Sequence, residues 1–113
     1  VYAVMVQSPP GTYAGALSLG FCPDLDLVRR PCRGSGLEYT MQGAEAKPKG
    51  LVYRPAAANR TRWIVMQGDS DKVCNPQGTR EFVAATGRGE LVWLPKVGHG
   101  FGVERNWLPQ SPY

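Results

Sequence analysis

The chain has 113 residues, 42% of them hydrophobic, and a net charge of +4 from 13 basic and 9 acidic side chains. That is one small domain or a piece of a larger one, with enough apolar residues for a packed core, so a disordered chain is excluded. No apolar run approaches the roughly 20 residues of a membrane-spanning helix, and the charges are interleaved rather than blocked, which favours solubility without establishing nucleic-acid binding.

In chain order, residues 1–8 carry Tyr2, Val1, Val4 and Met5 at helical spacing, and Pro9-Pro10-Gly11 stops them. The chain opens on Val1, with neither a starting methionine nor the charged start of a signal peptide, so VYAVMVQS reads as the end of a helix cut from something longer. The run TYAGALSLGF, residues 12–21, is apolar on both parities and predicts a strand buried on both faces. Residues 22–36 are rich in Pro, Gly and Arg and read as a loop. LEYTM and LVYRP predict two short strands, with GAEAKPKG turning between them, as an excursion from the main sheet.

RWIVMQG, residues 62–68, predicts a further buried strand. After the acidic loop DSDKVC, Asn75 is a helix cap and Pro76 a first helical residue. The helix runs to about Thr86, with Thr79, Phe82, Val83 and Thr86 on one face. ELVWLPK, residues 90–96, is the last strand, followed by VGHGFGV. Strand, helix, strand is a βαβ unit with parallel strands, so the fold class is α/β, a mostly parallel sheet flanked by helices.

In open parallel sheets the loops leaving the carboxyl ends of the strands carry the site. Asp69, Asp71 and His99, the only histidine, all fall on such loops. An imidazole working as a general base needs a carboxylate on its Nδ1, which sets the tautomer and stabilises the imidazolium. Two neighbouring strand ends bring an Asp and a His within reach across 28 residues.

This order resembles the C-terminal part of an α/β-hydrolase, where nucleophile, acid and histidine follow one another. Gly68-Asp69-Ser70-Asp71 with Val73 is similar to the acid motif G-x-x-D, and Gly98-His99-Gly100-Phe101 to the histidine motif. The resemblance selects Asp71 as the catalytic acid and His99 as the base, and leaves Asp69 to hold the loop through backbone N–H groups. No G-x-S-x-G elbow is present. Ser18 lies inside a strand, Ser35 has glycines on both sides but no strand or helix around it, and Cys22 is followed by proline. The nucleophile is therefore expected upstream of Val1, with residues 1–113 forming the acid-histidine half of the domain.

PPGTYAGALSLGFCPDLDLVRRPCRGSGLEY, WIVMQGDSDKVC and LPKVGHGF together resemble the bacterial virulence VirJ/AcvB family, over most of the chain. The resemblance implies a periplasmic serine-type ester hydrolase linked to type IV secretion and acting on aminoacyl-phosphatidylglycerol, a lipid-headgroup ester. The alternative is a non-catalytic binding or scaffold module of a secretion system.

Three cysteines leave two readings open: three reduced thiols, or a Cys22–Cys32 bridge with Cys74 left over. A periplasmic setting favours the bridge. No cofactor is expected, and zinc is not, because there is no C-x-x-C and one histidine does not make a ligand set. The loop arginines Arg29, Arg30, Arg33, Arg54, Arg60 and Arg62 lack an aromatic platform, so they read as solvated surface rather than a nucleic-acid interface. Half of a doubly wound sheet would leave an open edge and a bare apolar face, which predicts association with the missing half or with another copy.

Overall fold

A computed structural model describes residues 1–31 and 34–101. The apolar run after Arg62 forms strand β5 of the main sheet, and its neighbours in space come from both ends of the chain. The elements are α1 (Tyr2–Gln7), β1 (Ala16–Leu19), β2 (Asp24–Leu25), β3 (Tyr39–Ala44), β4 (Lys47–Tyr53), β5 (Trp63–Gly68), α2 (Pro76–Ala85), β6 (Gly89–Leu94) and a 3-10 turn, His99–Phe101. The chain is an α/β domain whose main sheet has the order β1-β5-β6, parallel throughout.

The period-2 alternation of strands assigns the two faces. Ala16, Ser18, Trp63, Val65, Gln67 and Leu91 share one face through the observed register. Trp63 and Val65 are fully buried there, under Phe82 and Val83 of α2. Ser18 sits in this core as a hydrogen-bond partner, accepting from Trp63 Nε1 at 2.9 Å. The ring of Tyr2 packs against Phe21, Tyr53, Trp63 and Phe82 at centroid distances of 5.1 to 5.3 Å. Its hydroxyl, which would be costly to bury alone, donates to the Arg54 carbonyl at 2.9 Å and accepts from Ala56 N–H at 3.0 Å. Burial of each such side chain contributes about 1.5–3 kcal/mol, so short α1 is held by packing rather than by helix propensity.

The opposite face departs from expectation. The run 12–21 was expected to be covered on both sides, but only four of its residues form β1, and Leu17 and Leu19 are more than half exposed. Val92 of β6 lies on the same face and is 40% exposed. Among the described residues no helix packs over this face, so apolarity on both parities reports a face prepared for cover rather than one covered here.

The excursion forms its own antiparallel sheet, order β2-β4-β3. Asp24–Leu25, expected as loop, pairs with Leu51–Val52. The strands β3 and β4 extend through most of GAEAKPKG, with an irregularity at Gln42/Gly43 that absorbs one residue. Leu51 and Tyr53 turn into the common core.

Helix α2 follows its sequence signals closely. Asn75 Oδ1 accepts from Gly78 N–H at 2.9 Å, and Pro76 occupies the first turn. Thr79, Phe82, Val83 and Thr86 are buried as their spacing predicts. Thr79 Oγ1 also donates to the Phe21 carbonyl at 2.7 Å, which ties the helix to the loop after β1. No helix among the described residues is long and apolar enough to cross a membrane.

Candidate active site

The carboxyl ends of β5 and β6 lie side by side, and the loops that leave them touch. Gly68 makes the contact feasible: a Cβ there would collide with the Val97 carbonyl oxygen. Asp69 then bridges the two loops. Its Oδ1 accepts from Lys96 N–H at 2.7 Å and from the Ser70 hydroxyl at 2.9 Å, while Asp69 N–H donates to the Leu94 carbonyl at 3.0 Å. Its role is the loop-holding one expected for it.

Asp71 points inward instead. Its side chain is 1% exposed and accepts four hydrogen bonds. Oδ1 takes the N–H groups of Val73 at 2.8 Å and Cys74 at 2.9 Å. Oδ2 takes Gln67 Nε2 at 2.9 Å and His99 Nδ1 at 3.0 Å. Burial pushes the Asp71 carboxyl pKa upward, but the bonds from His99, Cys74, Gln67 and Val73 together outweigh it and hold the group below its usual value. Asp71 is thus a buried carboxylate that stays ionised at neutral pH.

His99 is carried up to this carboxylate by the turn Gly98–Phe101, in which Gly100 adopts a φ of 70°. With Nδ1 donating to Asp71, the neutral ring keeps its lone pair on Nε2. The side chain is 39% exposed, so the ring spans from the buried carboxylate to solvent. Gly20, with φ 66°, lies beneath it: a Cβ there would be 3.5 Å from His99 Cε1 and Nδ1. His99, Gly20, Phe21 and Cys22 line a cleft of about 370 Å³ together with Val1, Tyr2 and Ala3 at the start of α1. Two larger clefts, of about 810 and 500 Å³, are lined by other residues and contain neither member of the dyad.

The cysteine expectation is corrected. Cys22 is bonded to Cys74, with Cα atoms 4.9 Å apart, so a Cys22–Cys32 bridge is ruled out; Cys32 itself lies outside the described residues, as does Arg33. The physical reason is the sheet. β1 and β5 are neighbours, so the loops that follow them meet, although 52 residues separate the two sulfurs in sequence. Cys74 Sγ also lies 3.6 Å from His99 Nδ1, on the same side of the ring as Asp71. In this disulfide neither Cys22 nor Cys74 offers a nucleophilic thiolate.

Two residues of the site escaped the sequence reading. Gln67 is fully buried and bonds both Asp71 and the Gly68 carbonyl, the latter at 3.1 Å, while its Oε1 has no hydrogen-bond partner among the described residues. The signal was available: it is the one amide in the apolar strand WIVMQG, on the parity of Trp63 and Val65. Cys74 gave no such signal. Of the serines, Ser18 is engaged with Trp63, and Ser35 lies by the cleft against the end of α1. Among the described residues, Asp71 and His99 come together as expected and no serine joins them. Comparison of the chain with protein-family models, curated proteins and solved structures finds no match.

Proposed function

We propose that the chain is the acid-histidine half of an α/β-hydrolase domain that cleaves carboxylic esters, and the observation that carries this reading is the bond from His99 Nδ1 to buried, ionised Asp71. The sheet supports it. An elbow strand would add to the free edge of β1, giving the order elbow strand-β1-β5-β6. Val1, Tyr2 and Ala3 at the start of α1 line the same cleft as His99, so a serine just before that helix would open onto it.

In this mechanism the serine hydroxyl gives its proton to His99 Nε2 as its oxygen bonds to the ester carbonyl carbon. Asp71 stabilises the imidazolium, which then protonates the departing alkoxide. Water reverses the steps and releases the acid. Resemblance to the VirJ/AcvB family directs the choice of substrate to aminoacyl-phosphatidylglycerol and of compartment to the periplasm, and the Cys22–Cys74 disulfide is compatible with an oxidising compartment.

The test is hydrolysis of a lysyl-glycerol ester by the intact protein that carries this sequence, with and without His99→Ala. A loss of about three orders of magnitude or more in kcat/KM is expected for a triad base. Unchanged turnover removes His99 from the mechanism. The scaffold reading is favoured by one observation, that no nucleophile among the described residues reaches His99. A coding sequence without a serine elbow upstream of Val1 would select it.

A further inference from the structure

The residues around His99 Nδ1 have a second chemistry. Asp71 Oδ2 lies 3.0 Å from Nδ1 and Cys74 Sγ lies 3.6 Å from it. The ligand atoms of Asp71, Cys74 and His99 all fall within 4.8 Å of one another. Cys22 Sγ is covalently joined to Cys74 Sγ, so a fourth donor is in place. These are the donor types of a tetrahedral zinc site, drawn from three loops. With Zn–S about 2.3 Å and Zn–N and Zn–O about 2.0–2.1 Å, the edges of such a tetrahedron are about 3.5 Å for S to N and about 3.3 Å for N to O. The observed separations lie within a few tenths of an ångström of these. The sulfur pair must open from a bond of about 2.05 Å to a contact of about 3.8 Å, and the sulfur-to-carboxylate edge must close to about 3.5 Å from a separation that lies within 4.8 Å. Side-chain rotation of the two cysteines supplies that movement.

We propose that the reduced chain binds one Zn²⁺ ion through Cys22, Cys74, His99 Nδ1 and Asp71 Oδ2, and that the disulfide and the metal exclude each other. The surroundings suit the site. Asp71 and Cys74 are buried, and His99 is partly open, which leaves a way in. Gln67 Nε2 already bonds Asp71 Oδ2 and would orient it as an outer-shell partner. The absence of a C-x-x-C pair does not weigh against the site, because strand neighbours rather than sequence neighbours supply the ligands.

The steps balance. A trialkylphosphine and one water reduce the disulfide to two thiols, and the phosphine leaves as its oxide with the oxygen of the water. Metal entry releases the two thiol protons, and the imidazole proton moves from Nδ1 to Nε2. The site of Zn²⁺, two thiolates and one carboxylate carries a net charge of −1. Withdrawal of two electrons by a disulfide oxidant re-forms the bond and expels the ion. Because the metal takes Nδ1 and Asp71 together, the metal-bound form has no Asp71–His99 hydrogen bond. This inference stands apart from the hydrolase reading, which concerns the disulfide form and is tested by ester turnover.

The experiment titrates the phosphine-reduced chain with Co²⁺ under inert gas. One equivalent should develop a thiolate charge-transfer band in the near ultraviolet and the intense ligand-field bands of a tetrahedral site, and Zn²⁺ should bleach both. The oxidised chain should show neither. Cys74→Ser should weaken the charge-transfer band and Cys22→Ser with Cys74→Ser should abolish it, His99→Ala should weaken binding at least tenfold, and Cys32→Ser should leave the spectrum unchanged. The proposal is overturned by octahedral cobalt spectra in the reduced chain, by a charge-transfer band that survives Cys22→Ser with Cys74→Ser, or by bands that require Cys32. It is overturned equally if the reduced chain loses its far-ultraviolet circular dichroism and cobalt does not restore it.

Discussion

Asp71→Asn replaces a carboxylate that accepts four hydrogen bonds by an amide that can accept on one atom only. The amide oxygen is held by the Val73 and Cys74 N–H groups at 2.8 and 2.9 Å, because these backbone donors cannot turn away. Its NH₂ then faces Gln67 Nε2 and His99 Nδ1, both donors in the parent protein. Gln67 cannot relieve this by flipping its amide, since Oε1 would then meet the Gly68 carbonyl that Nε2 now satisfies. His99 can relieve it by moving its proton to Nε2 and accepting on Nδ1. The tautomer therefore inverts. The cost is two charge-assisted hydrogen bonds, about 1.5–3 kcal/mol each, offset in part by a new neutral one of about 1 kcal/mol, which leaves a loss of about 2–5 kcal/mol. Two measurements check this. Nitrogen-15 spectra are unambiguous because His99 is the only histidine: in the neutral ring the protonated nitrogen should be Nδ1 in the parent and Nε2 in the variant. Urea denaturation should show the stability loss. In the intact protein, an imidazole with its proton on Nε2 cannot accept one from serine, and kcat should fall about 10⁴-fold. Retention of the Nδ1–H tautomer in Asp71→Asn, with unchanged stability, would refute the reasoning.

Gln67→Leu keeps the buried volume, removes one donor to Asp71 and also removes the Oε1 atom that has no partner among the described residues; a net destabilisation of about 1 kcal/mol is expected by thermal melting, with kcat lowered and KM unchanged in the intact protein. The depressed pKa of Asp71 contributes stability that is complete above the unfolded carboxylate value of about 3.9 and is lost as pH falls through the lower folded value. Denaturation curves taken from neutral pH down through that window should converge for the parent and Asp71→Asn, and a constant gap would contradict this account. The bare face with Leu17, Leu19 and Val92 should make the isolated chain self-associate, and light scattering should report a smaller species for Leu17→Thr with Leu19→Thr. A parent chain that is already a monodisperse monomer defeats this prediction.

What could be read from the sequence was whatever depends on nearby residues. The cap at Asn75, the buried stripe of α2 and the turn at Gly98–Phe101 follow from local spacing and from the φ that each position requires. The Asp71–His99 pair was also legible, though 28 residues apart, because a βαβ unit with a short helix makes its two strands neighbours. Knowing that β5 and β6 adjoin was enough to bring the loops after them together.

The Cys22–Cys74 bond was not legible by the same logic, and the difference lies in what separates β1 from β5. Between them runs the excursion β2–β4, whose length gives no hint that the chain returns beside the strand it left. Residues Cys22 and Cys32 looked like partners because a short loop closes at low entropic cost. The parallel pairing of β1 with β5 settles the matter otherwise: once Leu19 lies opposite Met66, the residues just past each strand meet at the same end of the sheet. Cys22 and Cys74 meet there, and so do Gly20 and His99. The disulfide is therefore a consequence of the β1–β5 register and the dyad of the β5–β6 register, and the two meet because β5 is common to both. A change that slips β1 against β5 should break the disulfide and leave the Asp71–His99 bond, whereas a change within the excursion should disturb neither.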